Sequence, residues 1–357
     1  MGQSVGDRLP SRLDQDCVAQ SRCNLTSTAA RTSAIRQRTS GEFESAGAIL
    51  EGTFGDLRIS KRRLRQVEAI ELVRRQRSDS QQRLGFASRP FVLCGLPIRR
   101  PPSSSLVYER RNGFFTLQIT GHPDFGLPFG QDRLVPIFLA TLAVRQQSQT
   151  IRFKSAAQML DTFGMAKGGK EYRRLVGAFE RVFGATIFFG TDSAHRQARV
   201  VHRCRFNFLQ EAQIWYNRDP AQPVLSEEFE NVAVLSDEFY AEVMAHPIPA
   251  DLEVVKLFAS APAVLDLFMW LAYRCFVART EERIPLFGSF GLTAQLGSVE
   301  YTRPRRFRAM LEQWLKQVRS VWPECPARIC SDGRYLRLSP ATAVLPRESA
   351  GTGLYVR

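Results

Sequence analysis

The sequence predicts a helix-rich α+β protein on three observations. One order of helices and strands occurs twice, the last helix of both copies is basic and amphipathic, and the net charge is +14 over 357 residues. A length of this kind suits two or three domains of roughly 100–200 residues each. Apolar residues make up 44% and Phe is abundant, so a sizeable core can form.

In the first copy, FFTLQIT (Phe114–Thr120) reads as a strand and residues 127–146 as a buried helix. A short strand, TIRF (150–153), precedes a helix at 155–164, a glycine-containing turn and a second helix at 171–183. Two further strands, ATIFFG and ARVVHRCRFNFL, form a hairpin. In the second copy a buried helix (261–279) leads to a short strand (283–287), a short helix (290–297), a turn and a long helix (303–322). The closing hairpin, ARICSDGRYLRLS, has Asp332-Gly333 as a strong turn signal. Phe153 to Phe179 spans 26 residues and Phe287 to Trp314 spans 27, so the spacing repeats as well as the order.

Helix, short strand, helix, turn, helix and two-stranded wing is the winged form of helix-turn-helix. The expected architecture is therefore two tandem winged-helix domains behind a basic, partly disordered N-terminal extension. The segments are a disordered extension (1–57), a basic helix or arm with a Pro-rich linker (58–104) and a first winged-helix domain (105–222). An acidic connector with the second winged-helix domain (223–345) and a tail (346–357) complete the chain. Arg58 to Arg100 carries twelve Lys and Arg against three acids, whereas Glu211 to Glu253 carries ten acids and one base. The basic stretch suits a polyanion. The acidic one reads as a solvated connector facing away from DNA, or as a partner-binding surface.

A recognition helix needs one face that packs and one that meets phosphates and base edges. In 171–183 the stripe Tyr172, Leu175, Val176, Phe179, Val182 and Phe183 packs at helical period. Lys170, Arg173, Arg174, Gly177 and Arg181 are then left outward. A glycine in mid-helix costs about 1 kcal/mol relative to Ala. Close approach to a DNA groove would offset that, and so would close helix–helix packing. In 303–322 the stripe is Phe307, Leu311, Trp314, Leu315 and Val318. Arg303, Arg305, Arg306 and Arg308 crowd the first turns, with Lys316 and Arg319 further along and Arg334 in the wing. Six bases face one acid, Glu312, over 303–319. Arginine pairs bidentately with guanine, so these positions are candidate DNA contacts.

Enzyme signatures fail on inspection. Gly164-x4-Gly169-Lys170 resembles a phosphate-binding loop, but Glu171 stands where the Mg²⁺-binding hydroxyl belongs and a helix precedes it, not a strand. The histidines His122, His195, His202 and His246 contain no His-x-His pair for a nickase, and His195, His202 and Cys204 are a weak metal set. The protein is expected to be non-enzymatic and to need no cofactor or metal. The cysteines form no C-x-x-C and read as reduced thiols. With no signal peptide and no membrane-spanning run, a cytoplasmic location is expected and no membrane partner.

Four segments resemble the plasmid-encoded RepA replication initiators of Gram-negative bacterial plasmids. They are LPFGQDRLVPIFLATLAVRQ, IRFKSAAQMLDTFGM, EYRRLVGAFERVFGATIFFGT and FGLTAQLGSVEYTRPRRFRAMLEQWLKQVRSVWPECPA. The resemblance runs from about residue 106 to 340. It implies binding to repeated double-stranded sites at a plasmid origin, melting of an adjacent AT-rich region, and recruitment of a host replication initiator and replicative helicase. It also implies that such initiators repress their own promoter as homodimers. The family has no catalytic residue to carry over. A winged-helix transcriptional repressor without a replication role is the alternative expectation.

Overall fold

Two apolar helices organise the fold, one from each copy of the repeat. The computed structural model describes residues 60–113, 115–194, 199–214, 230–288, 290–296 and 303–344. The extension at 1–57, His195, the turn before the long second-copy helix and the tail at 346–357 lie outside the described residues. Helix α3 (Leu134–Gln146) is buried at every residue from Leu134 to Val144, as expected of a helix apolar all round. Gln147, in the left-handed region at φ 50°, closes it. Its counterpart α8 (Pro262–Val277) starts on a proline and is buried from Val264 to Ala272.

The repeated order is present. Strand β4 (Thr150–Phe153), helix α4 (Ala156–Thr162) and helix α5 (Gly169–Phe183) follow α3. Strand β10 (Glu282–Pro285), helix α9 (Leu292–Gln295) and helix α10 (Pro304–Val321) follow α8. Beyond that the copies diverge in their sheets. In the second, β10 pairs with β12 (Tyr335–Leu338), which pairs with β11 (Arg328–Ile329), giving a small antiparallel sheet of order β10-β12-β11.

The first copy corrects the expected two-stranded wing. Strands β5 (Thr186–Ala194) and β6 (Arg199–Asn207) do form a hairpin, but β5 also pairs with β3 (Phe115–Thr120), and β3 with β2 (Val107–Asn112). The result is a four-stranded sheet of order β2-β3-β5-β6. Its inner face explains the recruitment of β3: Leu117 lies opposite Phe189 and Ile119 opposite Ile187, and all four are buried. Period-2 alternation places such residues on one face, which must be covered. Strand β4 pairs instead with β8 (Asn231–Leu235), in a sheet of order β4-β8-β7 completed by β7 (Leu209–Gln213).

The acidic stretch is not a solvated connector where it is described. It supplies β8, helix α6 (Asp237–Ala245), strand β9 (Ile248–Asp251) and helix α7 (Leu252–Phe258). Phe239 and Val243 are fully buried. Its acids pair with arginines from other parts of the chain. Glu242 takes Arg89 through both oxygens at 3.1 Å, Glu253 takes Arg83 at 3.1 Å, and Glu230 takes Arg152 at 2.7 Å. Asp251, fully buried, caps α7 by accepting the Glu253 and Val254 N–H groups, and also accepts from Gln82.

The Pro-rich linker expected before residue 104 is corrected likewise. Strand β1 (Leu84–Ala87) pairs with β9, and helix α2 (Arg89–Leu93) leads into Cys94 and Leu96, both in the core. The basic helix is present as α1 (Lys61–Ser78). Its Arg74 donates to the Ser320 carbonyl at 2.6 Å, and its buried Arg77 donates to the carbonyls of Thr342 and Ala343 and lies over the Trp322 ring. Residues Arg65–Glu348 make one unit with a continuous apolar core, so the copies share an interior instead of standing as two separate domains.

Candidate nucleic-acid interface

The basic face of α10 follows from how its opposite face is used. Phe307, Leu311, Trp314, Leu315 and Val318 are all buried, as the stripe predicts, with Phe307 edge-on to both Phe287 and Trp314. Gln295 of α9 accepts a 3.0 Å hydrogen bond from the Trp270 indole of α8, which ties the short helix to the buried one. Pro304 starts α10, where its missing N–H leaves no gap. With that face fixed, Arg303, Arg305, Arg306 and Lys316 emerge exposed on the other.

Arg308 and Arg334 lie at the hairpin turn. Gly333 sits at φ 64°, and a Cβ there would collide with the guanidinium of the half-buried Arg308. Arg308 therefore lies across the turn and joins the first turns of α10 to the wing, instead of projecting freely. Arg334 is exposed beside it, with its N–H held by Asp332 at 2.9 Å. Arg283 stacks over the Tyr335 ring at 4.9 Å on the same sheet. Arg319 donates to the Ala327 carbonyl at 2.5 Å, a structural contact.

In the first copy, Lys170, Arg173 and Arg174 are exposed at the start of α5, while Leu175, Ala178, Phe179 and Val182 are buried. Gly164, at φ 59°, ends α4, and the Lys256 side chain fills the space a Cβ would take. The glycines thus serve a turn between two helices. Phe183, expected in the packing stripe, is 43% exposed at the C-terminal end of α5.

Two of the first-copy expectations are corrected. Arg181 does not face outward. It grips both oxygens of Asp132, at 2.6 and 3.0 Å, lies 4.9 Å from the Phe129 ring centre, and is only 18% exposed. Nor is the space above Gly177 open to a groove or filled by another helix: the nearest atom to a Cβ there is Arg181 Nη1, at 3.1 Å. Gly177 makes room for Arg181 to fold back along its own helix. Sequence periodicity missed Asp132, whose only signal was a carboxylate in the first turn of a helical segment.

Among the described residues no group of three potential metal ligands occurs, and no helix is long and apolar enough to cross a membrane. Cys94, Cys275 and Cys325 are buried and unbridged, and burial pushes the Cys94 and Cys275 thiols up to about 12.

Residues 97–252 match a family model described as replication initiator protein A. That span holds three of the four segments on which the resemblance was drawn. No curated protein matches the chain. Two solved structures superpose on it in part. Selenomethionine derivatives of domains 2 and 3 of RctB give a TM-score of 0.43 at 14% identity, covering 65% of this chain and 85% of that one. RctB domains 2–3 give 0.42 at 15% identity, covering 63% and 80%.

Proposed function

With residues 97–252 matching the replication initiator protein A family, we propose that this chain is a plasmid replication initiator acting by binding DNA and not by chemistry of its own. It binds repeated double-stranded sites at the plasmid origin through its two helix-turn-helix copies, the second of which carries a wing, opens the neighbouring AT-rich duplex and brings in host replication proteins, in the cytoplasm. The observation that carries the DNA-binding part is the asymmetry of α10. One face is wholly buried, and the other presents Arg303, Arg305, Arg306 and Lys316 next to a wing that bears Arg334.

That arrangement suits a duplex. The N-terminal turns of such a helix enter the major groove, where arginine pairs bidentately with guanine, while wing cations reach phosphates. Lys170, Arg173 and Arg174 give α5 a smaller set of the same kind. The excess positive charge adds sequence-independent attraction to any duplex, so specificity must come from the few arginines that reach base edges.

Opening is tested with permanganate on a supercoiled plasmid that carries the DNA around the chain's own gene. Protein-dependent reactivity of thymines beside the bound sites supports an initiator. Binding with no reactive thymines at any protein concentration leaves the repressor as the correct description.

A further inference from the structure

We propose that the turn Gly130–Arg133 is a positioning element that sets the angle between the two helices offered to DNA. This rests on the DNA-binding reading above. Two adjacent side chains of the turn, which leads directly into α3, reach in different directions. Asp132 holds Arg181 near the C-terminal end of α5 through both oxygens. Arg133 holds Asp266 of α8 through Nε and Nη2, at 2.7 and 2.8 Å, with only 6% and 10% of the two side chains exposed. Helix α10 packs directly on α8. A single turn is thus fastened to the first-copy recognition helix and to the platform of the second.

The polar pairs add to what the shared core does. Burial of apolar surface is non-directional and gives its geometry through packing, whereas the pairs contribute contacts whose direction is fixed. A bidentate arginine–carboxylate pair is planar and restricts rotation about its own axis. The surroundings accommodate both grips. Gly177 leaves space for Arg181, and Gly95 leaves space for Asp266, whose carboxylate a Cβ at 95 would strike. Arg133 also donates to the carbonyls of Leu96 and Gly130, and the Phe129 N–H donates to Asp132 at 2.9 Å.

The experiment uses the full chain and two duplexes. One carries a repeat from the DNA beside the chain's gene, and the other carries that repeat with about 5 bp, half a helical turn, inserted at its centre. Two rigidly linked units should lose simultaneous engagement on the second duplex, so the wild type should bind it about 100-fold more weakly. The double variant R133M/D266L replaces a buried ion pair with apolar side chains, a kind of change that folded proteins often tolerate. It should bind the unaltered repeat but show an insertion penalty below about 10-fold, because loosened units can re-span the sites.

An unchanged penalty in the double variant overturns the proposal, as does a wild type that shows no penalty. A wild type that binds neither duplex overturns the DNA-binding reading itself. If circular dichroism shows the double variant unfolded, Arg181→Lys, which keeps the charge and loses the two-pronged grip, is put through the same comparison with the same outcomes.

Discussion

Arg181 meets Asp132 through both carboxylate oxygens in the space that Gly177 leaves open on the same helix. Asp132 is 4% exposed, so removing Arg181 leaves a buried carboxylate without its ion-pair partner. Arg181→Met should destabilise the fold by about 3–5 kcal/mol, read from the midpoint of a urea melt. Affinity per folded molecule for the origin repeat should change far less than stability. A large affinity loss at unchanged stability would return Arg181 to the DNA face.

Arg305 gives the opposite pattern. It is exposed on the first turn of α10, and Arg305→Ala should leave the urea midpoint within about 0.5 kcal/mol of wild type. If it pairs with a base, affinity should fall by about 1–3 kcal/mol and discrimination should relax at one position of the site. If it meets only phosphate, binding weakens evenly across sequences. The slope of log K against log salt then becomes shallower by about 0.9. Titrations at several salt concentrations on matched and mismatched duplexes separate the two.

Gly333 carries two constraints at once, a φ of 64° and the Arg308 guanidinium in the place of a Cβ. Gly333→Ala should therefore cost about 1–3 kcal/mol of stability from backbone strain alone. It should also move Arg308 off the turn and weaken origin binding, whereas Gly288→Ala, with open space around a φ of 90°, should cost stability without affecting binding. Equal binding by both variants would remove Arg308 and the wing from the interface.

The buried thiols set a limit at alkaline pH. Burial raises Cys94 and Cys275 from the ordinary thiol value to about 12, so the folded state holds protons that the unfolded state releases. A raised pKa contributes stability that is complete below the unfolded thiol pKa of about 8.5 and declines as pH climbs toward the folded value. Urea midpoints should be flat with respect to these groups at pH 7–8 and fall between pH 9 and 11. A double Cys94→Ala, Cys275→Ala variant, though less stable overall, should show a smaller decline. The same slope in both proteins would place the alkaline transition elsewhere.

The order of elements was legible in the sequence because helical and strand periods are local. The stripes of α3, α8 and α10 needed no knowledge of their partners, and Asp332-Gly333 marked its own turn. Sheet wiring was not legible: β4 and β10 both look like the strand before a helix-turn-helix, yet β10 joins the hairpin after it and β4 joins β8. The acidic stretch misled for a related reason. Glu230, Glu242 and Glu253 look solvated when read alone, and their partners Arg152, Arg89 and Arg83 are distant in the chain.

At the candidate interface, charge counting found the cations that are exposed and overcounted by those that are not. Arg305 and Arg181 have the same helical credentials in sequence. Only the placement of Asp132 against α5 separates a cation available to DNA from one already engaged.

Sequence-specific binding to repeated origin sites is tested most directly by hydroxyl-radical footprinting of the full chain. The DNA around its own gene is probed at physiological salt with excess competitor duplex. Protection recurring at a fixed interval across tandem repeats is the predicted result, with two protected patches per repeat for the two helices. A single protected palindrome at a promoter would contradict the initiator account, and an unprotected origin would contradict specific DNA binding altogether.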